Sequence, residues 1–205
     1  RDGHLIFGSE IKALLASGKI DDAIDLQAHH DYLALNYVPG QRTMLRGIKR
    51  VPPGHYIVWK DGQVQLVRYW SQTFHRADVD PAALSFEDAA QALQTQFQAA
   101  VERRLVSDVP LGMFLSGGID SSAVLMAMAK AHTDPVQAFT IRFAESSYDE
   151  SEYAKIVANT FGAQHHVETV SPDLDTFLTP FAESMDEPYA DSSMIPLWYL
   201  CRLAR

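Results

Sequence analysis

The stretch from Val109 to Val136 constrains this chain most. An apolar run, "VPLGMFLS", passes through Gly117-Gly118 into a second apolar, helix-prone run from Asp120 to Ala131. Beyond it, "VQAFTIRF" reads as a strand, Ser151 to Phe161 as a helix and "QHHVETV" as a strand. Two more helical segments begin near Ser171-Pro172 and near Ser192. Strands and helices alternating through short connections imply parallel crossover units, since parallel neighbours cannot be joined by a tight turn. The expected fold class is therefore α/β, with a doubly wound parallel sheet and "VPLGMFLS" as a buried strand. A long helix precedes the sheet. Ser85 is its N-cap, Asp88 stands three residues on, and Phe86, Ala89, Leu93, Phe97, Val101 and Leu105 recur along one face.

The first third of the chain has a different character. "HLIFGS" and "HYIVWKDGQVQLVRYW" are rich in β-branched and aromatic residues, and Asp61-Gly62 splits the second run as a hairpin turn does. "LQAHHDYLALNYV" reads as a short helix ended by Pro39-Gly40, with Pro52-Pro53-Gly54 as a turn back into strands. "SQTFHRADVDPAALS" has no periodicity and contains Pro81. It divides the chain into residues 1–72, a linker at 73–84 and a second domain at 85–205.

Composition excludes several function classes. Against 17 Lys+Arg stand 26 Asp+Glu, a net charge of -9, so no broad surface is set up to hold a polyanion, and nucleic acid is not an expected partner. The single cysteine, Cys201, forms no internal disulfide and, set in an apolar helical run, reads as core. With no run of 18 or more apolar residues and no charged-then-apolar leader, the expectation is a cytoplasmic protein that does not cross a membrane. The chain begins at Arg1 and closes within an apolar helical pattern, "IPLWYLCRLAR", and is read as an excerpt of a longer protein.

The handover from strand to helix carries the chemistry, because ligands of open α/β sheets bind at the carboxyl ends of strands. Gly117 and Gly118 allow a tight bend, positive φ and close approach to a ligand. Amides at the bend and at the start of the next helix can converge on an anion, with Ser116, Ser121 and Ser122 as hydroxyl donors. A carboxylate at Asp120 repels phosphate unless it caps the helix locally or helps hold Mg²⁺. Neither Gly-x-x-x-x-Gly-Lys-[Ser/Thr] nor Gly-x-Gly-x-x-Gly is present, which excludes the lysine-anchored ATPase loop and the dinucleotide fingerprint. The adjacent pairs His29-His30 and His165-His166 lack zinc-ligand spacing, and no protein metal site is expected. Asp149 and Glu150 read as capping and charging the first turn of a helix. Asp186, Glu187, Asp191 and Ser192 lie near a helix start, either as an N-cap or as substrate contacts.

Ser116 to Ser122 resembles the pyrophosphate-binding loop of the N-type ATP pyrophosphatases. The blocks "RRLVSDVPLGMFLSGGIDSS", "YDESEYAKIVANTFGAQHH" and "DEPYADSSMIP" resemble, in order, the glutamine-dependent asparagine synthetase family. "FGSEIKALL" and "IKRVPPGHYIVW" are similar to the end of that family's N-terminal-nucleophile glutaminase domain. "PYADSSMIP" looks closest to bacterial amidotransferase paralogues associated with exported polysaccharides. The resemblance implies an adenine nucleotide alpha hydrolase-like sheet preceded by the β-rich tail of the glutaminase domain.

It also implies a reaction. ATP with Mg²⁺ activates a carboxylate, aspartate or a related acid, as an acyl-adenylate with loss of pyrophosphate; ammonia from glutamine then displaces AMP. Asp120 would be the catalytic position. Ser116, Gly117, Gly118, Asp120, Ser121 and Ser122 would hold the phosphates, and Leu115 and Ile141 would meet the nucleoside through main-chain groups. The glutaminase nucleophile and a downstream synthetase loop fall outside this chain, so the excerpt alone is expected to form no amide; the sequence leaves the oligomeric state open, with a homodimer as one option. The alternatives are a tRNA-modifying enzyme with the same loop and a nucleotide-binding module without catalysis.

Overall fold

The computed structural model describes residues 4–73, 84–143, 149–171 and 173–205. The chain forms two units, Arg1–His75 with Leu174–Ser192, and Arg76–Asp173 with Ser193–Arg205. Leu174–Ser192, which the sequence pattern carries within the second segment, thus groups with the first. The expected linker at 73–84 falls almost wholly outside the described residues.

In the first unit, Asp61 at φ 50° and Gly62 at φ 74° supply the two left-handed residues of a tight hairpin. The hairpin joins β1 (His55–Lys60) to β2 (Gln63–Arg68), antiparallel with Lys60 opposite Gln63. Two helices precede it, α1 (Ile11–Leu15) and α2 (Leu26–Leu35). The Asp25 carboxylate caps α2 by accepting from the amides of Gln27 and Ala28. This helix stops at Asn36, whose φ of 66° is left-handed, three residues before the expected stop at Pro39. "HLIFGS" is not a strand: His4–Gly8 has no regular secondary structure, and Phe7 is 87% exposed. A β-rich sequence becomes a strand only where a ladder partner lies beside it, and among the described residues none does.

The second unit holds the parallel sheet. Its order is β3 (Gly112–Phe114), β4 (Gln137–Phe143), β5 (Gln164–Val170), with Phe114 beside Phe139 and Phe143 beside Val170. Helices α4 (Ile119–Ala131) and α5 (Ser151–Thr160) make the crossovers, and α3 (Phe86–Glu102) packs on α4. Two further helices follow, α6 (Leu174–Ser184) in the first unit and α7 (Met194–Leu203), which packs on β4. The expected strand at "VPLGMFLS" is shorter than its apolar run. Pro110 has no amide for a ladder, Val109 is 68% exposed, and β3 lies at an edge among the described strands.

Leu115, Leu125, Met128, Val136, Ala138, Ala154 and Ala158 form the buried core of this unit. Three alanines let α5 and β4 approach closely. Ser85 caps α3 through the Asp88 amide, as the sequence suggests, and its hydroxyl donates back to the Asp88 carboxylate. Only the C-terminal half of the α3 stripe is covered, since Val101 and Leu105 join the core while Phe86 and Leu93 lie exposed. Cys201 is exposed rather than core. Two residues after the buried Tyr199, it lies about 200° around the helix from the face that α7 covers. Leu125 has no exposed surface, so Leu125→Ala is predicted to lower stability by about 3 kcal/mol through lost burial and a residual cavity, measured by urea denaturation.

Candidate functional site

The chain leaves β3 through Leu115, whose amide donates to the Phe139 carbonyl at 2.9 Å and whose side chain is 2% exposed. It then bends through Ser116-Gly117-Gly118 into α4. Only Gly117 takes the left-handed conformation, at φ 81°. Gly118, expected to share it, is the N-cap of α4 in an ordinary extended conformation at φ -70°. At Gly117 a Cβ atom would lie 2.6 Å from the amide nitrogen of Ala154 and 2.8 Å from Cβ of Tyr153. The loop therefore lies directly against the first turn of α5, and any side chain at 117 would push the two apart.

Because the N-cap is a glycine, α4 has no side-chain cap. The amides of a helix's first turn have no intrahelical partner, so those of Ile119, Asp120 and Ser121 open a patch of positive potential at the carboxyl edge of the sheet. The serines behave unequally. Ser116 and Ser121 hydroxyls lie 3.1 Å apart, and the Gly118 amide donates to the Ser116 oxygen at 3.3 Å. The Ser122 hydroxyl donates at 2.7 Å to the Gly118 carbonyl, which also accepts the Ser121 hydroxyl at 3.1 Å. Asp120 is exposed in the first turn of α4 and does not cap it, which removes the local-cap explanation for its carboxylate.

Ile141 stands two residues past Phe139, the last β4 residue paired with β3. Alternate residues of a strand direct their amide and carbonyl groups to the same neighbour. The main chain of Ile141 thus faces the side on which β3 has ended and the loop begins. Leu115 has less to offer a ligand. Its amide is used by Phe139, and its carbonyl accepts the Thr140 hydroxyl at 2.6 Å.

Two features near the loop escaped sequence reasoning. Thr140 is 4% exposed, and its hydroxyl also lies 2.8 Å from Nε2 of His165. A threonine within the apolar run "AFTIRF" was the available signal. Burial, followed by the charges of His166 and Lys155, lowers the pKa of His165 from its ordinary value. The adjacent His166 faces the other way, at 2.7 Å from the Gln137 side-chain oxygen and stacked on Phe139. At the other end of β4, Arg142 pairs with Asp149 at 2.8 Å, and Asp149 accepts the Ser151 amide at 3.0 Å. Hydrogen bonds from Ser151, then the Arg142 charge, hold this carboxyl below its ordinary range. Asp149, rather than Glu150, thus supports the start of α5, against which Gly117 rests.

Asp186 and Glu187, expected near the last helix, bond instead to partners in the first unit. Asp186 accepts from the amides of Ile11 at 2.7 Å and Lys12 at 3.3 Å, and so covers the start of α1. Glu187 accepts the Met44 amide at 2.7 Å and pairs with Arg50, which also donates to the Val38 carbonyl. Both carboxylates are thus engaged within the first unit. The N-cap of α7 is Ser193, without a side-chain cap bond, and Ser192 precedes it. An open cavity of about 1250 Å³ in the first unit is lined mainly by apolar residues such as Ile6, Leu14, Ile57 and Trp59. Its lining holds no histidine or cysteine, and its Asp186 and Glu187 are already bonded. Among the described residues, no group of three or more His, Cys, Asp or Glu could hold a metal ion, and no helix is long and apolar enough to cross a membrane.

Fold and site together define an α/β domain with a glycine-bent loop and an uncapped helix start at the carboxyl edge of a parallel sheet. Comparison with known families makes this specific: the asparagine synthase model matches residues 92–205 and the glutamine amidotransferase domain model residues 1–70. The chain belongs to the asparagine synthase family. It is 28% identical to asparagine synthetase [glutamine-hydrolyzing] 1 of Bacillus subtilis, over 98% of this chain and 31% of the relative. To asparagine synthetase [glutamine-hydrolyzing] 3 of the same organism it is 32% identical, over 96% of this chain and 34% of the relative. A protein of Penicillium rubens named amidase chyE is 29% identical, over 89% of this chain and 28% of its own length. The chain spans about a third of the length of these relatives.

Gly117→Ala is predicted to lower stability by about 1–3 kcal/mol, from backbone strain and the clash with α5. Gly118→Ala, with only the Ser116 hydroxyl 3.3 Å from the new atom, is predicted to cost less than about 1 kcal/mol; paired urea titrations measure the difference. Asp149 adds a pH signature. A carboxyl with a lowered folded pKa stabilises above its unfolded value, near 3.8, and loses that contribution as pH falls through the folded value. The stability gap between wild type and Asp149→Asn is predicted to be full at neutral pH and to shrink below about pH 4, followed by acid titration at fixed temperature.

Proposed function

We propose that the complete protein is a glutamine-dependent amidotransferase that activates a carboxylate with ATP and transfers ammonia to it. The activated species is an acyl-adenylate, formed when a substrate carboxylate attacks the α-phosphorus and pyrophosphate leaves. The carrying observation is the loop from Ser116 to Ser122, where a left-handed glycine and a glycine-capped helix present first-turn amides without a side-chain cap. Amides fixed in this way need no reorganisation when negative charge builds on the leaving pyrophosphate.

Each residue has a defined part in this reading. The amides from Gly117 to Ser121, with the hydroxyls of Ser116 and Ser121, hold the pyrophosphate portion. Both Ser121 and Ser122 hydroxyls reach the Gly118 carbonyl, Ser121 more loosely at 3.1 Å against 2.7 Å, so Ser121 is the one that turns to the phosphate and Ser122 acts through its helix. The main chain of Ile141 meets the nucleoside at the open end of β4. The Leu115 carbonyl can do so only through the lone pair that Thr140 leaves free. Asp120 supplies an oxygen ligand for Mg²⁺ carried by the nucleotide, consistent with an exposed carboxylate that caps nothing. When bound, that ion would neutralise phosphate charge beside the carboxylate.

Glutamine hydrolysis belongs to the part of the protein that residues 1–70 match. Residues 1–72 are accordingly the end of a glutaminase domain, and 85–205 part of the synthetase domain. Aspartate is the proposed acceptor, from the relatives named asparagine synthetases. The relative named an amidase keeps other carboxylates in view, so pyrophosphate exchange into ATP should be screened over several acids. Asp120→Asn in the full-length protein is predicted to reduce this exchange by ~100-fold or more with little change in thermal stability. Exchange equal to wild type would contradict the role given to Asp120.

A further inference from the structure

Thr140 and His165 are buried or partly buried polar groups without a part in the chemistry above. They form a chain of hydrogen bonds that ends on the loop. The Thr140 hydroxyl has a single proton, and the Leu115 carbonyl, 2.6 Å away, can only accept it. Nε2 of His165, 2.8 Å from the same hydroxyl oxygen, must then carry a hydrogen and donate it. The direction is fixed from His165 through Thr140 to Leu115. A neutral ring protonated at Nε2 serves this chain, and the burial that lowers the pKa of His165 favours the neutral ring.

The end point of the chain matters because a peptide unit is planar. The Leu115 carbonyl and the Ser116 amide belong to one rigid plane and point in opposite directions. The ladder fixes the Leu115 amide through Phe139, but that bond belongs to the preceding peptide plane. Within the next plane, the Ser116 amide has only a 3.4 Å contact with the Ser121 hydroxyl. The strong hold on this plane is therefore the Thr140 hydroxyl. Without it, the plane can turn about its flanking bonds, and the first amide of the loop loses its aim.

We infer that Thr140 and His165 are positioning residues that hold the Leu115–Ser116 peptide plane, so that the Ser116 amide keeps its contact with the Ser121 hydroxyl and the loop amides from Gly117 onward face the bound phosphates. This rests on the ATP reading given above. Both residues act on binding in the ground state and the transition state alike, so their loss raises KM for ATP without a matching loss in kcat.

The test is ATP–pyrophosphate exchange by the full-length protein in four variants, with thermal melting of each. Thr140→Val, which keeps the shape and removes the hydroxyl, is expected to raise KM for ATP roughly 10-fold with kcat within about 2-fold of wild type. Thr140→Ser, which restores the hydroxyl, is expected to return KM to within about 3-fold of wild type. His165→Gln keeps a donor and is expected to behave like Thr140→Ser, whereas His165→Phe is expected to raise KM ~3-fold or more. A folded Thr140→Val with wild-type KM, or a Thr140→Ser that fails to rescue, overturns the inference. If Thr140→Val does not fold, the His165 pair decides, and equal KM for Gln and Phe overturns it. Activity that falls through kcat alone, in step with the folded fraction, also overturns it by showing a merely structural role. Wild-type protein that neither exchanges pyrophosphate nor binds ATP overturns the ATP reading itself, and this inference with it.

Discussion

The site depends on the close approach of Gly117 to the first turn of α5. With the Ala154 amide nitrogen only 2.6 Å from where a Cβ would stand, the loop is set in place by backbone packing. The left-handed φ of 81° turns the chain sharply enough for α4 to begin one residue later with an uncapped glycine. The position of the helix terminus thus comes from the contact at Gly117, and its lack of a side-chain cap from Gly118. A bulkier residue would displace the loop, and a side-chain cap on α4 would occupy amides that an anion needs.

The neighbouring elements support that contact from both sides. On one, the Arg142–Asp149 pair and the bond from the Ser151 amide fix the start of α5, the surface on which Gly117 rests. On the other, Leu115 is locked into the core by its side chain and joined to β4 by two hydrogen bonds. The apolar core beneath, with Ala138, Ala154 and Ala158 at its closest points, allows the short distance between strand and helix. Where the fold needs precision it combines small residues with bonds that carboxylates and carbonyls accept from main-chain and hydroxyl groups. The acids Asp186 and Glu187 serve the first unit in a similar way, joining Leu174–Ser192 to the backbone around α1 and Met44.

Much of this was legible in the residues. The Asp61-Gly62 hairpin, the Asp120–Ala131 helix and the strands around Thr140 and Val167 follow from turn chemistry and periodicity, which are local. What escaped was set by tertiary context. "HLIFGS" has strand composition but no neighbour to pair with, and half of the α3 apolar stripe is uncovered. Cys201 has core-like neighbours but falls on the open face of its helix. The loop was recognised as a loop, yet its two glycines do different work, one by conformation and close packing, the other as an empty cap. The Thr140–His165 chain joins residues 25 apart, which no local pattern reveals. Asp186 and Glu187 bond to partners more than a hundred residues away, so their sequence neighbours suggested a role that the structure does not give them.

In the proposed function, main-chain amides at this bend grip the diphosphate part of ATP. The direct measurement is an amide spectrum of the full-length protein labelled with ¹⁵N-glycine and ¹⁵N-isoleucine, titrated with MgATP and, separately, with pyrophosphate. Large, saturable shifts of the Gly117 and Ile119 amides with both ligands, with Gly62 in the β1–β2 hairpin unmoved, are the predicted result. Saturable binding of MgATP that leaves Gly117 and Ile119 unshifted would contradict the account.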